Sequence, residues 1–76
     1  MNKDISKILD ELKPGETFAE SESFIDDGLL DSFDIVTLVS ILEEKYGIEI
    51  DGLDIVADNF QNIDAIVNLV NKSKRV

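Results

Sequence analysis

The 76-residue chain contains no cysteine and no histidine. That absence constrains the fold more than any motif does. A domain of this size buries only a modest share of its surface, and here neither a disulfide nor a Cys₂His₂-type zinc site can reinforce the core. Stability has to come from apolar side chains gathered in one place. The hydrophobic fraction, 43%, suits a folded domain and is too high for a disordered acidic tail. No apolar run approaches the length of a membrane span. The opening "MNKDISKIL" lacks the apolar stretch of a signal peptide. The expectation is one soluble, cytoplasmic, monomeric domain over residues 1–76.

Apolar spacing predicts where the core comes from. In "DISKILDELKPG", Ile5, Ile8, Leu9 and Leu12 recur at i, i+3, i+4 and i+7, which lines one face of a helix. Pro14 cannot continue the hydrogen-bond ladder, and Gly15 suits the turn that follows. Residues 15–31, "GETFAESESFIDDGLLD", show no sustained period. Phe18, Phe24, Ile25, Leu29 and Leu30 nevertheless predict that this long loop folds back over the core. A second helix begins near Ser32, with Ser32 as a favoured N-cap and Asp34 in the first turn, where the helix dipole favours negative charge. Its inward stripe is Ile35, Leu38, Val39, Leu42 and Tyr46, and Gly47 ends it. "GIEIDGLD" alternates over a few residues, has no obvious partner strand, and reads as a loop. "DIVADNF" reads as one or two turns of helix. Asn62 can cap a last helix with Ile63, Ile66, Val67 and Val70 on one face, and with Lys72 and Lys74 near its C-terminal dipole. The fold class predicted is all-α: a small four-helix bundle with three main helices, one short helix and a long first loop.

Charge narrows the partners. Seventeen acids face seven bases, a net charge of −10. Lys72, Lys74 and Arg75 sit together in the tail, so the remainder carries four bases against all seventeen acids. Such a body repels nucleic-acid phosphates and anionic membranes and is steered toward basic partners.

The stretch "DDGLLDSFDIVTL", Asp26 to Leu38, carries the chain's most informative serine. A nucleophilic serine needs a base to take its proton, usually a histidine held by a carboxylate. The chain has none. Lys45 lies more than three helical turns from Ser32, the other lysines bear no spacing relation to it, and the segment is not a G-x-S-x-G elbow. The chain is therefore not expected to be an enzyme. Asp26, Asp27, Asp31 and Asp34 can attract divalent cations loosely. They do not make a calcium loop, because Leu29 and Leu30 stand where ligands would be needed. A simple helix cap is one role left for Ser32. Another follows from Phe33 and Val36, which lie off the inward stripe. With Thr37, Ser40, Glu43 and Glu44 they form a second helix face that starts beside Ser32, and an exposed Phe among acids suits docking better than core. A helix N-terminus also favours an anion such as a phosphate ester.

"GLLDSFDIVTLVSILEEKYGIEI" resembles the attachment region of acyl and peptidyl carrier proteins. Their signature is an Asp-Ser pair followed by a large apolar residue at the start of the second helix, here Asp31, Ser32 and Phe33. The resemblance covers nearly the whole chain, through the helix ending at Pro14, the long loop, the acidic second helix and the close "NFQNIDAIVNLV". It implies that a separate phosphopantetheinyl transferase moves 4′-phosphopantetheine from coenzyme A onto Ser32. The arm's thiol would then carry acyl or aminoacyl cargo as a thioester, as in fatty acid biosynthesis. The resemblance further implies that the second helix docks on basic patches of loading and transfer enzymes. By position these contacts would be Asp31, Phe33, Asp34, Val36, Thr37, Ser40, Glu43 and Glu44. The interior near Leu38, Leu42 and Phe60 would shelter an apolar cargo. Fatty-acid carriers commonly have one residue between Gly and Asp-Ser, whereas Leu29 and Leu30 make two here. "GLLDSF" is also similar to D-alanyl carriers and to stand-alone carriers of specialised pathways. A small acidic interaction module, with Ser32 only a cap, is the reading from another class.

Overall fold

The computed structural model describes all of residues 1–76. Three α-helices carry the chain: α1 (Asn2–Leu12), α2 (Ser32–Tyr46) and α3 (Ile63–Lys72). Fifteen apolar side chains form one buried cluster, and no polar or charged residue is buried with them. Ile5, Ile8 and Leu9 of α1 meet Leu38, Val39 and Leu42 of α2 and Ile66, Leu69 and Val70 of α3 in that cluster. Each such side chain contributes roughly 1.5–3 kcal/mol on full burial. Phe60 is fully buried just before α3.

The connection between α1 and α2 is held by its own backbone as well as by its apolar residues. The Lys13 N–H closes on the Leu9 carbonyl at 2.9 Å, and Gly15 turns the chain at φ +91°. Phe18 opens a short 3₁₀ turn, Phe18–Glu20, and its ring meets Phe24 edge to face at 5.0 Å. The Phe24 carbonyl accepts from both Leu29 N–H (2.8 Å) and Leu30 N–H (3.1 Å), while the Phe24 N–H donates to the Gln61 carbonyl at 2.8 Å. Phe24 therefore fastens the segment before α2 to the segment before α3. Phe18, Phe24 and Leu30 are buried, and Ile25 and Leu29 are half-buried against the core.

Asp31, and not Ser32, caps α2. Its backbone is extended, and its Oδ1 accepts the Asp34 N–H at 2.9 Å. Asp34 returns the bond, its Oδ2 accepting the Asp31 N–H at 3.2 Å. This is a capping box with aspartate in the place that glutamate or glutamine usually takes. A carboxylate satisfies the free N–H groups at least as well as a hydroxyl, so Ser32 moves one place inward to the first helical position. At the other end, Gly47 terminates α2 in the left-handed conformation at φ +61°, where a side chain would be strained. Asn62 caps α3 as expected, its Oδ1 accepting the Ala65 N–H at 2.7 Å.

Two other expectations are corrected. The short helix expected in "DIVADNF" is not an α-helix. A 3₁₀ turn at Gly52–Asp54 and another at Ala57–Phe60 stand in that region, because the apolar residues there do not repeat long enough to support α-helical turns. "GIEI" is not a loop, for β1 (Ile48–Glu49) pairs antiparallel with β2 (Lys74–Arg75), Ile48 opposite Arg75 and Glu49 opposite Lys74. Ile48 and Ile50 point into the core on alternate positions. The Val76 N–H donates to the Gly47 carbonyl at 3.0 Å, and Arg75 reaches the Tyr46 carbonyl at 3.4 Å. Lys74 thus lies across from Glu49 in the strand pair rather than on the end of α3.

The Tyr46 hydroxyl is hidden from solvent and has no hydrogen-bond partner. Burial, with the nearby Asp4 carboxylate, pushes its pKa above the usual tyrosine value. Removing an orphaned buried hydroxyl relieves a desolvation cost. Tyr46→Phe is expected to raise stability by about 1 kcal/mol in urea unfolding, and a loss of that size would refute the orphaned state. The capping assignment makes a second prediction. Ser32→Ala should change unfolding stability by no more than about 0.5 kcal/mol, whereas Asn62→Ala should cost about 1 kcal/mol. Equal costs at the two positions would return the capping role to Ser32.

Candidate functional site

Ser32 occupies the first turn of α2 with its side chain exposed. The cap is supplied by its neighbour, so none of the chain's side-chain hydrogen bonds engages the Ser32 hydroxyl. Beside it lies a groove of about 290 Å³. Ile35 and Val36 of α2 form one wall, Ile55, Val56 and Ala57 the other, and Ile25 of the first loop contributes as well. Asp31 and Ser32 are the polar residues of the lining. An exposed hydroxyl, engaged in no side-chain hydrogen bond, thus stands beside an apolar slot.

The electrostatics of this end of α2 belong to Asp31, Asp34 and Lys13. The Asp34 N–H bond is the main cause that holds the Asp31 carboxyl below its usual value; the Asp34 side chain, the Lys13 cation and the Phe33 N–H act in the same direction, against the desolvation of the site. A carboxyl whose folded pKa is depressed contributes stability above its unfolded pKa, near 3.8, and loses it as the pH falls through the lower folded value. Asp31 is therefore ionised at neutral pH and takes up the helix-end N–H groups that the sequence offered to a phosphate. Lys13 Nζ lies 3.3 Å from Asp34 Oδ2, whose side chain is only 13% exposed.

The residues expected on the docking face fall into two groups. Phe33 is 78% exposed and Val36 64% exposed, so both face outward as expected. Ser40 and Glu44 are exposed with them. Thr37 is half-buried, and its hydroxyl donates to the Phe33 carbonyl at 3.3 Å. The Ser40 hydroxyl donates to Val36 in the same manner at 3.4 Å. Asp34 and Glu43, by contrast, turn their charges to internal use. Asp34 holds Lys13 and the Asp31 N–H, and Glu43 Oε2 accepts the Ile50 N–H at 3.0 Å. The interior site expected near Leu38, Leu42 and Phe60 is filled, since all three are fully buried and line none of the cavities.

Sequence reasoning missed Lys13 and the wall formed by Ile25, Ile55, Val56 and Ala57. The signal for the wall was present. Ile55 and Val56 are apolar residues in a segment without helical period, and the core has no use for residues so exposed. Lys13 gave no such signal.

Comparison with known proteins identifies the family. Residues 5–70 match the family model described as "Phosphopantetheine attachment site". The chain is 39% identical over 59 residues to the acyl carrier protein of Sinorhizobium fredii, covering 78% of this chain and 73% of that protein. The acyl carrier protein AcpP of Rhizobium meliloti is similar to the same degree, with the same coverage. No solved structure matches. The family pattern over residues 5–70 and the 39% identity to acyl carrier proteins place the chain in the phosphopantetheine-binding acyl carrier family, whose cofactor is covalently attached 4′-phosphopantetheine.

Proposed function

We propose that residues 1–76 form a single carrier domain in which Ser32 receives the 4′-phosphopantetheine arm. The observation that carries this reading is the exposed Ser32 hydroxyl, uninvolved in the cap and opening onto the apolar groove. In the transfer, a bond forms between Ser32 Oγ and the phosphorus of coenzyme A that bears the pantetheine. The phosphoanhydride bond breaks, adenosine 3′,5′-bisphosphate leaves, and the serine proton passes to a base of the transferase. The chain needs no base of its own, which agrees with the absence of histidine. The arm supplies a thiol for thioester cargo, and a chain without cysteine has no competing thiol. The domain carries cargo and catalyses nothing itself. The groove walls Ile35, Val36, Ile55 and Val56 suit an acyl chain better than the ammonium of an aminoacyl group. No helix is long and apolar enough to cross a membrane, and a cytoplasmic place beside soluble loading and transfer enzymes follows from the same reading.

Incubation with coenzyme A and a broad-specificity phosphopantetheinyl transferase should add the mass of one phosphopantetheine per chain. The gain should vanish in Ser32→Ala. A chain that stays unmodified, or an addition that persists in the variant, refutes the attachment.

The docking face is more apolar than acidic. Phe33 and Val36 form its centre, with Glu44 as its free charge, while Asp31, Asp34 and Glu43 are spent inside the chain. The net charge of −10 steers basic partners toward the molecule, and Phe33 anchors them on arrival. Phe33→Ala is expected to raise the KM for the transferase about tenfold, and Glu43→Gln to leave it within about twofold. The reverse ranking would restore Glu43 to the docking face and remove Phe33 from it.

A further inference from the structure

The first turn of α2 is fixed from outside the helix. Asp34 Oδ2 accepts the Asp31 N–H at 3.2 Å and also lies 3.3 Å from Lys13 Nζ. The same carboxylate oxygen therefore closes the capping box and holds the cation. Without a cation, the box would set two carboxylates against each other within one turn, Asp31 and Asp34, each accepting the other's backbone N–H. Lys13 offsets that repulsion on the member that is more shielded from water, Asp34.

Lys13 is itself well anchored. It is the residue that ends α1, with its N–H on the Leu9 carbonyl at 2.9 Å and its carbonyl accepting the Glu16 N–H at 3.3 Å. Pro14 restricts its backbone from the other side. The cation therefore joins the C-terminal end of α1 to the N-terminal end of α2, across the connection of residues 13–31. Ser32 sits between Asp31 and Asp34, inside the turn that this bridge closes.

We propose that Lys13 is a positioning residue for Ser32: acting through Asp34, it holds the first turn of α2 in the geometry that presents the serine hydroxyl for modification. The inference rests on phosphopantetheine attachment at Ser32, and it assigns a role to a residue outside the attachment motif. Lys13 touches neither the serine nor the incoming group. Its effect is on how often the hydroxyl stands ready, and so on turnover in the bound complex more than on binding.

The test uses the full chain, coenzyme A and a broad-specificity phosphopantetheinyl transferase, with circular dichroism to establish that each variant is folded. Lys13→Met is expected to lower kcat for modification three- to tenfold with KM unchanged. Lys13→Arg, which keeps the cation, should recover kcat to within twofold of the parent. Asp34→Ala, which removes both the acceptor of the Asp31 N–H and the partner of Lys13, should slow modification at least as much as the Met variant, and the double variant should be no slower than Asp34→Ala alone. A second measurement does not involve the transferase. Amide exchange at Phe33 and Asp34 should accelerate at least threefold in Lys13→Met and return to the parent rate in Lys13→Arg. An unchanged kcat in folded Lys13→Met, or an Arg variant as slow as the Met variant, overturns the proposal. So does unchanged exchange at the two amides. If the parent chain itself is never modified, the carrier reading fails, and the exchange result still decides whether Lys13 fixes the turn.

Discussion

The structure depends on one apolar cluster that no covalent link or metal reinforces. The three helices alone cannot supply it, and every other segment contributes. Phe18, Phe24 and Leu30 come from the first loop, Ile48 and Ile50 from the short strand region, and Phe60 from the turn before α3. This explains why the loop is ordered by its own contacts. Its aromatic residues are needed inside, and the Phe24 bonds to Leu29, Leu30 and Gln61 satisfy the backbone that burial would leave without partners. Because the loop leads directly into Asp31, the packing that stabilises the domain also sets where the second helix starts.

That starting point determines which side chain caps the helix. Had Ser32 capped the helix, its oxygen would have accepted a backbone N–H and would have been constrained by it. Asp31 takes the role instead, and a carboxylate that stays ionised at neutral pH performs it without titrating in the physiological range. The hydroxyl is left free and exposed on a rigid element. The same economy shapes the outer face of α2. Asp31, Asp34 and Glu43 serve the fold, so what stands most exposed on that face is the aromatic side chain of Phe33 and the aliphatic one of Val36, with Glu44 at the margin.

Much of this was legible in the sequence, and what was not has a physical reason. The three helices were readable because their apolar residues repeat at helical spacing over ten to fifteen residues. Phe33 and Val36 were readable as outward-facing because they fall off that repeat. The cap was assigned one residue late. Serine and aspartate both favour the position, and only the reciprocal bond with Asp34 distinguishes them. The strand pair was missed because the partner of "GIEI" is the polar tail Lys74–Arg75, a pairing that no local pattern announces. Lys13 was missed for the same reason, its partner being brought near by the tertiary fold alone. The groove lies elsewhere than expected because Leu38, Leu42 and Phe60 fill the centre completely.

The pairing of β1 with β2 gives the molecule two ends with different uses. The last residues are clasped to Gly47 and Tyr46, at the C-terminal end of α2, while Ser32 lies at its N-terminal end. Fifteen helical residues separate them, a distance of about 22 Å at helical rise. A second protein or a surface joined through Val76 would thus pull on the far end of the helix. The Ser32 end would stay open to solvent, so a load on the tail would leave the exposed hydroxyl and the groove beside it unobstructed.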